Sequence, residues 1–405
     1  MTKYKQTSLL SVSDHEQVLA FRLDSHSLAR RMPSDSLLEV AAACGLQNTP
    51  PGSAMLALHA RLSNLVLDDV DRALSHHKTL LQVLSLRAAP YIVPTHDAEI
   101  FTLGVLPDDE ASRRFFVFGA ARALDQIGIS ATELVNYTAA ALPDVLDNRE
   151  LTKDDLGLEL ARRLEKQLTS QQLQSWHTPS WYAPGQRLGE SVVRFALSIV
   201  ALQGLFCLAP RRGNSATYIR TDQWLGTPPS KMRREDPRAE LVRRYLHCYG
   251  PTTMEHFAEW AGIAPAQAAR TWRLIESELV GVDYAGRKTW LHQQDFSRFL
   301  SPPASKGVRF LPPHDPYLAL RDRETLVSNK GRRRRIWRST VNPGAVLADG
   351  RFVAIWRPKK AGKRLNITVE TFTSLSPATH SEIEAEAATL APFRGCASVE
   401  VVFTQ

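Results

Sequence analysis

No apolar run in this chain is long enough to cross a bilayer. The longest, Phe195 to Leu202 and Gly204 to Pro210, are broken by Ser198, Gln203 and Gly204 and fall short of the roughly 20 residues a spanning helix needs. The opening Met1 to Leu10 carries Lys3 and Lys5 and only a terminal Leu9-Leu10 pair, too little for the core of a signal peptide. These features lead us to expect a cytoplasmic protein with no membrane partner. Cysteine is scarce: Cys44, Cys207, Cys248 and Cys396 lie far apart and form no CxxC. The spacing supports neither a disulfide framework nor a zinc knuckle, so buried thiols are expected. His76-His77 and the scattered histidines show no metal-ligand spacing and there is no HExxH, so no metal and no cofactor are expected.

The 405 residues are 43% apolar, enough for several cores and beyond the size at which one domain usually divides. The net charge of +8 is unevenly spread. From Lys330 to Arg364 twelve Lys or Arg face a single acid, Asp349, a local excess of +11 that leaves the rest of the chain at −3. Clustered cations of this density match a polyanion, because neutralising adjacent phosphates releases condensed counterions. The bland alternative is a solvated basic face.

The clearest module runs from Arg238 to His292. Leu241, Val242, Tyr245 and Leu246 have helical spacing up to Gly250-Pro251, and Thr252 with Glu255 reads as a capping box for a short second helix ending near Trp260. Pro265 opens a third helix with Ala268, Trp272, Ile275 and Leu279 on one face and Gln267, Arg270 and Arg273 on the other. Val280 to Tyr284, Ala285-Gly286 and Arg287 to Leu291 then read as a hairpin. Three short helices and a hairpin are the winged-helix plan, whose third helix enters a major groove. Gln267, Arg270 and Arg273 are therefore candidate DNA contacts.

Two earlier segments repeat the order. Asp35 to Cys44, Pro50 to Leu62 and Asp68 to Ser75 read as helices before a strand pair at Thr79 to Leu86 and Ala89 to Val93. Ser130 to Leu142, Thr152 to Leu168 and Gly189 to Leu202 precede a hairpin from Leu205 to Ile219. Past Pro302-Pro303, Val346 to Trp356 reads as a hairpin about Asp349-Gly350, with further strands at Leu365 to Phe372 and Ala397 to Phe403 and one helix near Ser381 to Ala391. The expected fold is α+β, with tandem winged-helix modules at 14–107, 108–226 and 234–300 and a C-terminal small β-barrel or half-barrel at 305–405. Arg332, Arg333, Arg334 and Arg335 beside Trp337 combine charge with a stacking surface, and Lys359 and Lys360 extend the cationic face.

Several motifs, weak singly, are specific in this order: Gly45-Leu46-Gln47, Leu86 to Pro94, Tyr249-Gly250-Pro251-Thr252, Trp260-Ala261-Gly262, Leu311-Pro312-Pro313-His314-Asp315-Pro316-Tyr317-Leu318 with Arg321-Asp322-Arg323, and the Asp349-Gly350 hairpin ending at Trp356-Arg357. In these the chain resembles the winged-helix DNA glycosylases of the azinomycin-resistance and crosslink-unhooking type over nearly its whole length. The resemblance implies three winged helices and a β-barrel clamped around double-stranded DNA, alkylated or crosslinked, and a monomer without metal or nucleotide cofactor. It implies hydrolysis of the N-glycosidic bond of N3- or N7-alkylated purines. The family motif, a glutamine, one residue, then glutamine, aspartate or another polar residue, falls on Gln47, Asn48 and Thr49.

A purine made cationic by alkylation leaves with little acid help, so a placed water and stabilisation of an oxocarbenium-like sugar suffice. Gln47 suits that task. Thr49 departs from the pattern: it is a poor base with short reach, and Thr49-Pro50 also reads as an N-cap and N1 pair. Asp315 reads either as a sugar-stabilising carboxylate or as the acceptor of an Asx-turn. Trp176 and Trp181 read as base-stacking or as buried aromatics. No lysine is placed for a Schiff base, so strand cleavage by a lyase step is not expected. A clamp that binds DNA without turnover, and a protein-interaction scaffold, remain open alternatives.

Overall fold

The computed structural model describes residues 10–12, 15–226 and 236–405. Residues 1–9, read above for their lack of an apolar core, and the expected boundaries at 14 and 234 lie outside the described residues. The chain is a mixed α/β structure that divides into two units, one of residues 1–72, 242–260 and 275–405, the other of 73–241 and 261–274. Among the described residues no helix is long and apolar enough to cross a membrane.

The second unit is built on three helices, Ala131–Val145, Lys153–Leu164 and Leu188–Ala201. Each start is written locally. Ser130 and Glu133 form a reciprocal capping box, and Thr152 caps the next helix with Asp154 and Asp155 in its first turn, where carboxylates complement the dipole. Leu134, Val135, Leu142, Leu156, Leu160, Val192 and Val193 close one core. Trp176 belongs to that core: it is 1% exposed, and a Cβ at Gly189 would fall 2.1 Å from its ring, so it offers no face to a base. Trp181, by contrast, is exposed, with the Arg122 guanidinium 5.0 Å over its ring. The expected strand pairs are present: Leu80–Leu84 with Pro90–Pro94, and Phe206–Arg212 with Ser215–Arg220, the latter joined by Leu151–Thr152.

In the first unit, Leu279–Tyr284 and Arg287–His292 form the expected hairpin, with both turn residues, Ala285 and Gly286, at positive φ. Leu10–Val12 adds a parallel strand to it. The helix Met254–Ala261 does not begin on the expected capping box. Thr253 Oγ1 accepts from the His256 amide at 3.3 Å, whereas Thr252 is buried and its hydroxyl meets the Tyr245 hydroxyl at 2.9 Å. The core of bulky aromatics around Tyr245, Tyr249 and Trp260 claims Thr252, and capping passes to the next hydroxyl.

The C-terminal strands run in the linear order Val308–Leu311, Gly344–Ala348, Arg351–Ala361, Arg364–Thr371 and Ser398–Thr404. Among the described residues these five strands form a sheet whose first and last strands do not pair, so of the expected barrel or half-barrel the closed barrel is not formed. The Asp349-Gly350 turn forms as expected, pairing Ala348 with Arg351. The last two strands are parallel, a connection that needs a crossover, and the helix Pro377–Ala388, capped by Ser376, supplies it. Ile383, Ala387 and Leu390 pack over Phe310, Val346, Trp356, Leu365 and Ile367, joined by Leu56 from the helix Ser53–Arg61.

Candidate active site and nucleic-acid interface

The helix Leu37–Cys44 ends at Gly45, whose φ of 69° and ψ of 157° are open essentially only to glycine. That turn throws the chain into the short strand Leu46–Gln47. Gln47 is 8% exposed. Asn48 Oδ1 accepts from the Gly52 amide at 2.8 Å and the Ala54 amide at 3.4 Å, so Asn48 caps the following helix, Ser53–Arg61. This overturns the N-cap reading of Thr49: the helix starts at Ser53, after a turn closed by the Ser53 amide on the Pro50 carbonyl at 3.0 Å. Thr49 is half-buried.

The far end of the same helix is anchored twice. Arg61 makes a bidentate pair with Asp315, both bonds 2.8 Å, with the side chains 3% and 0% exposed. Asp315 Oδ1 also accepts from the Tyr317 amide at 2.9 Å. Both oxygens of Asp315 are thus engaged, which is the Asx-type structural role and leaves it turned inward. Two residues earlier, a ring nitrogen of His59 meets Thr389 Oγ1 at 2.9 Å. Burial pushes the His59 pKa down to about 4, and the Arg31 and Arg309 charges add to this. The Glu386 carboxylate lies 3.9 Å away but is shared with Arg31. His59 is therefore neutral when folded, and the unfolded chain takes up its proton first. The stability that a neutral His59 contributes is complete above about pH 6.5 and is lost as pH falls from there towards 4. Urea unfolding across this range should show a smaller loss in His59→Gln; an identical loss would contradict the assignment.

The candidate DNA contacts separate into two sets. Gln267 is 2% exposed and donates to the Val105 and Leu106 carbonyls at 3.3 and 3.1 Å, which removes it from any interface. Arg270 pairs with Asp108 and Asp109. Arg273, exposed, bonds the Ala269 carbonyl at 3.2 Å. The helix Pro265–Arg273 thus turns its polar face largely onto its own unit, a packing no periodicity reveals.

In the other set, Arg332 to Arg335 lie on the helix Lys330–Ile336, capped by Asn329. Five of the twelve cations are matched to acids: Arg333 to Glu324, Arg335 and Arg357 to Glu370, Arg351 to Glu16 and Arg364 to Glu400. Arg332 and Arg335 also lie 5.5 and 4.9 Å over the Phe372 ring. Trp337 donates to the Leu318 carbonyl at 2.9 Å and carries Arg323 over its ring at 5.2 Å, so it is a packed wall more than a free stacking platform. Lys360 Nζ donates to the Arg394 and Gly395 carbonyls, and Lys359 is exposed. Among the described residues the other seven cations have no acid partner: Lys330, Arg334, Arg338, Lys359, Lys360 and Lys363, all exposed, and half-buried Arg332. Lys330, Arg333, Arg334 and Trp337 line a cavity of about 810 Å³ with Arg287 and Arg321. The last two escaped the sequence reading: Arg287 sits at a hairpin turn, and Arg321 lay within a recognised motif without a charge run to mark it.

The family described as DNA glycosylase AlkZ-like matches residues 40–393, an interval that contains the Gln47 loop and the cationic helix. The chain belongs to this family. A curated relative, an interstrand DNA cross-link repair glycosylase from Streptomyces sahachiroi, is 28% identical over 173 residues. That alignment covers 40% of this chain and 45% of the relative, so the match spans less than half of the relative's length. The solved structure of the Streptomyces sahachiroi DNA glycosylase AlkZ superposes with a TM-score of 0.73 over 98% of this chain and 100% of that one, at 21% identity. The two chains therefore share a fold along nearly their whole lengths.

Proposed function

We propose that this AlkZ-like chain is a monofunctional DNA glycosylase that hydrolyses the N-glycosidic bond of alkylated or crosslinked purines in double-stranded DNA. The observation that carries this reading is the family match through the loop bearing Gln47, on a strand fixed by Gly45 before it and Asn48 after it. Asn48, between Gln47 and Thr49, is the one given to the helix. Gln47 would hold the attacking water and Thr49 assist it; Asn48 positions the loop. Asp315 supports the same helix through Arg61. The segments 14–107, 108–226 and 234–300 would act as winged-helix modules in a chain that also carries the C-terminal sheet within 305–405, and one monomer would engage one duplex. Thr49 favours a second reading, a damage-binding clamp without turnover.

Incubation with duplexes carrying N7-methylguanine or an interstrand purine crosslink distinguishes the two. Glycosylase action yields alkali-labile abasic sites or unhooked strands; DNA binding with neither product would leave only the clamp. Binding is expected to weaken steeply with salt, and Lys330→Ala and Arg334→Ala should each lower the slope of log affinity against log salt by about 1. An unchanged slope in both would remove this helix from the interface.

A further inference from the structure

Three residues separated by up to 222 positions, His26, Cys44 and Cys248, meet inside the first unit, with one ligand atom from each lying within 4.8 Å of the others. All three are buried, at 2%, 4% and 0% exposure. His26 Nδ1 stands 3.9 Å from Cys44 Sγ. A nitrogen and a sulfur bound to one ion, at about 2.0–2.1 and 2.3 Å, stand about 3.5–3.8 Å apart for bond angles between tetrahedral and trigonal. The spacing is thus long for a hydrogen bond and close to what a shared ion imposes.

Three helix ends supply the ligands. His26 follows the helix His15–Ser25, Cys44 closes Leu37–Cys44, and Cys248 lies in the last turn of Pro237–Tyr249. The rings of Tyr249 and Tyr317 hold the imidazole edge-on at 5.0 and 5.3 Å. The other ring nitrogen of His26 is buried without a hydrogen-bond partner, so the cluster is not explained as a completed polar network. The neighbouring Arg61 charge is matched by Asp315 and is not left facing a bound cation.

We propose that His26, Cys44 and Cys248 form a buried site for one thiophilic d10 ion, Cu(I) or Zn(II), that ties three helix ends together directly before Gly45-Leu46-Gln47. Two thiolates and an imidazole are soft donors suited to these ions. Three ligands complete a trigonal Cu(I); Zn(II) takes a fourth, for which the Ala43 carbonyl, 3.5 Å from Cys248 Sγ, is at hand. Binding through two thiolates releases the two thiol protons to solvent and involves no change of oxidation state. The ion is structural, outside the glycosidic chemistry. Scattered cysteines without CxxC spacing gave no sign of it, because the fold and not the sequence brings the ligands together.

The test uses the full chain, reduced and stripped of metal without air, titrated separately with Zn(II) and with Cu(I) against chromophoric chelators. One equivalent of one of these ions should bind, with a rise in melting temperature, and Cys44→Ser, Cys248→Ser and His26→Gln should each weaken it at least about 10–100-fold. Cys207→Ser, a buried thiol elsewhere, should not change it. Co(II) loading should give thiolate-to-metal absorption that is lost in Cys44→Ser and retained in Cys207→Ser. Should the serine variants fail to fold, His26→Gln and the wild-type Co(II) spectrum decide. A folded, DNA-binding wild type that takes up neither ion overturns the proposal, as does binding indifferent to His26→Gln, or a Cys44–Cys248 disulfide in the unreduced protein with no metal bound.

Discussion

Gln47→Ala is expected to lower single-turnover release of N7-methylguanine from duplex DNA by about 10²–10³-fold while DNA affinity stays at the wild-type level. The size follows from the chemistry. The alkylated purine is already a good leaving group, so the enzyme's contribution is concentrated in a placed water and a stabilised sugar cation, and Gln47 is the residue assigned to the water. Gln47 is largely buried, so the variant's stability should be measured alongside its rate. An equal fall in stability and rate would indicate packing, whereas a rate loss in a chain of wild-type melting temperature indicates chemistry. Thr49→Ala should cost less, since a threonine hydroxyl is a weak base. Thr49→Gln, which puts a longer amide in place of the hydroxyl at the last position of the proposed motif, should raise the rate. A Thr49→Gln variant no faster than wild type would show that the departure at this position is not what limits turnover.

The largest stability effect is expected at the Arg61–Asp315 pair. Both side chains are almost wholly buried, and their bonds tie the C-terminal end of Ser53–Arg61 to the turn that starts Pro316–Ala319. Removing one partner strands the other charge in the interior, so Arg61→Met or Asp315→Leu alone should destabilise by about 3–5 kcal/mol. The double variant should recover part of that loss, since it buries no unpaired charge. Urea unfolding of the four chains checks this. Additive losses in the double variant would mean that the two residues act independently and that the helix is held by its apolar contacts, such as Leu56 on the C-terminal sheet.

What could be read from the sequence was mostly local. The helix starts at Ser130 and Thr152, the hairpin through Ala285-Gly286 and the Asp349-Gly350 turn each depend on a few neighbouring residues and are present. Where the reading went astray, a distant partner had prior claim on a side chain. Thr252 was taken by Tyr245, so Thr253 caps; Asn48 reaches forward over four residues, so Thr49 does not. Gln267 and Arg270 have the spacing of a recognition face, yet Val105, Leu106, Asp108 and Asp109 occupy them. The charge run from Lys330 to Arg364 was legible as a run, but its neutralisation by Glu324, Glu370 and Glu400 was not. Sheet closure is likewise a long-range property: alternation marks strands but does not say whether the first and last of them pair.

The central claim, that this AlkZ-like chain breaks a glycosidic bond, is tested most directly by chromatography and mass spectrometry of the small molecules released from a duplex carrying N7-methylguanine at one position. The account predicts free N7-methylguanine in amounts matching the abasic sites left in the DNA, no strand break before alkali, and loss of both products in Gln47→Ala. Tight binding of the same duplex with no free base released, from it or from a crosslinked one, would contradict it.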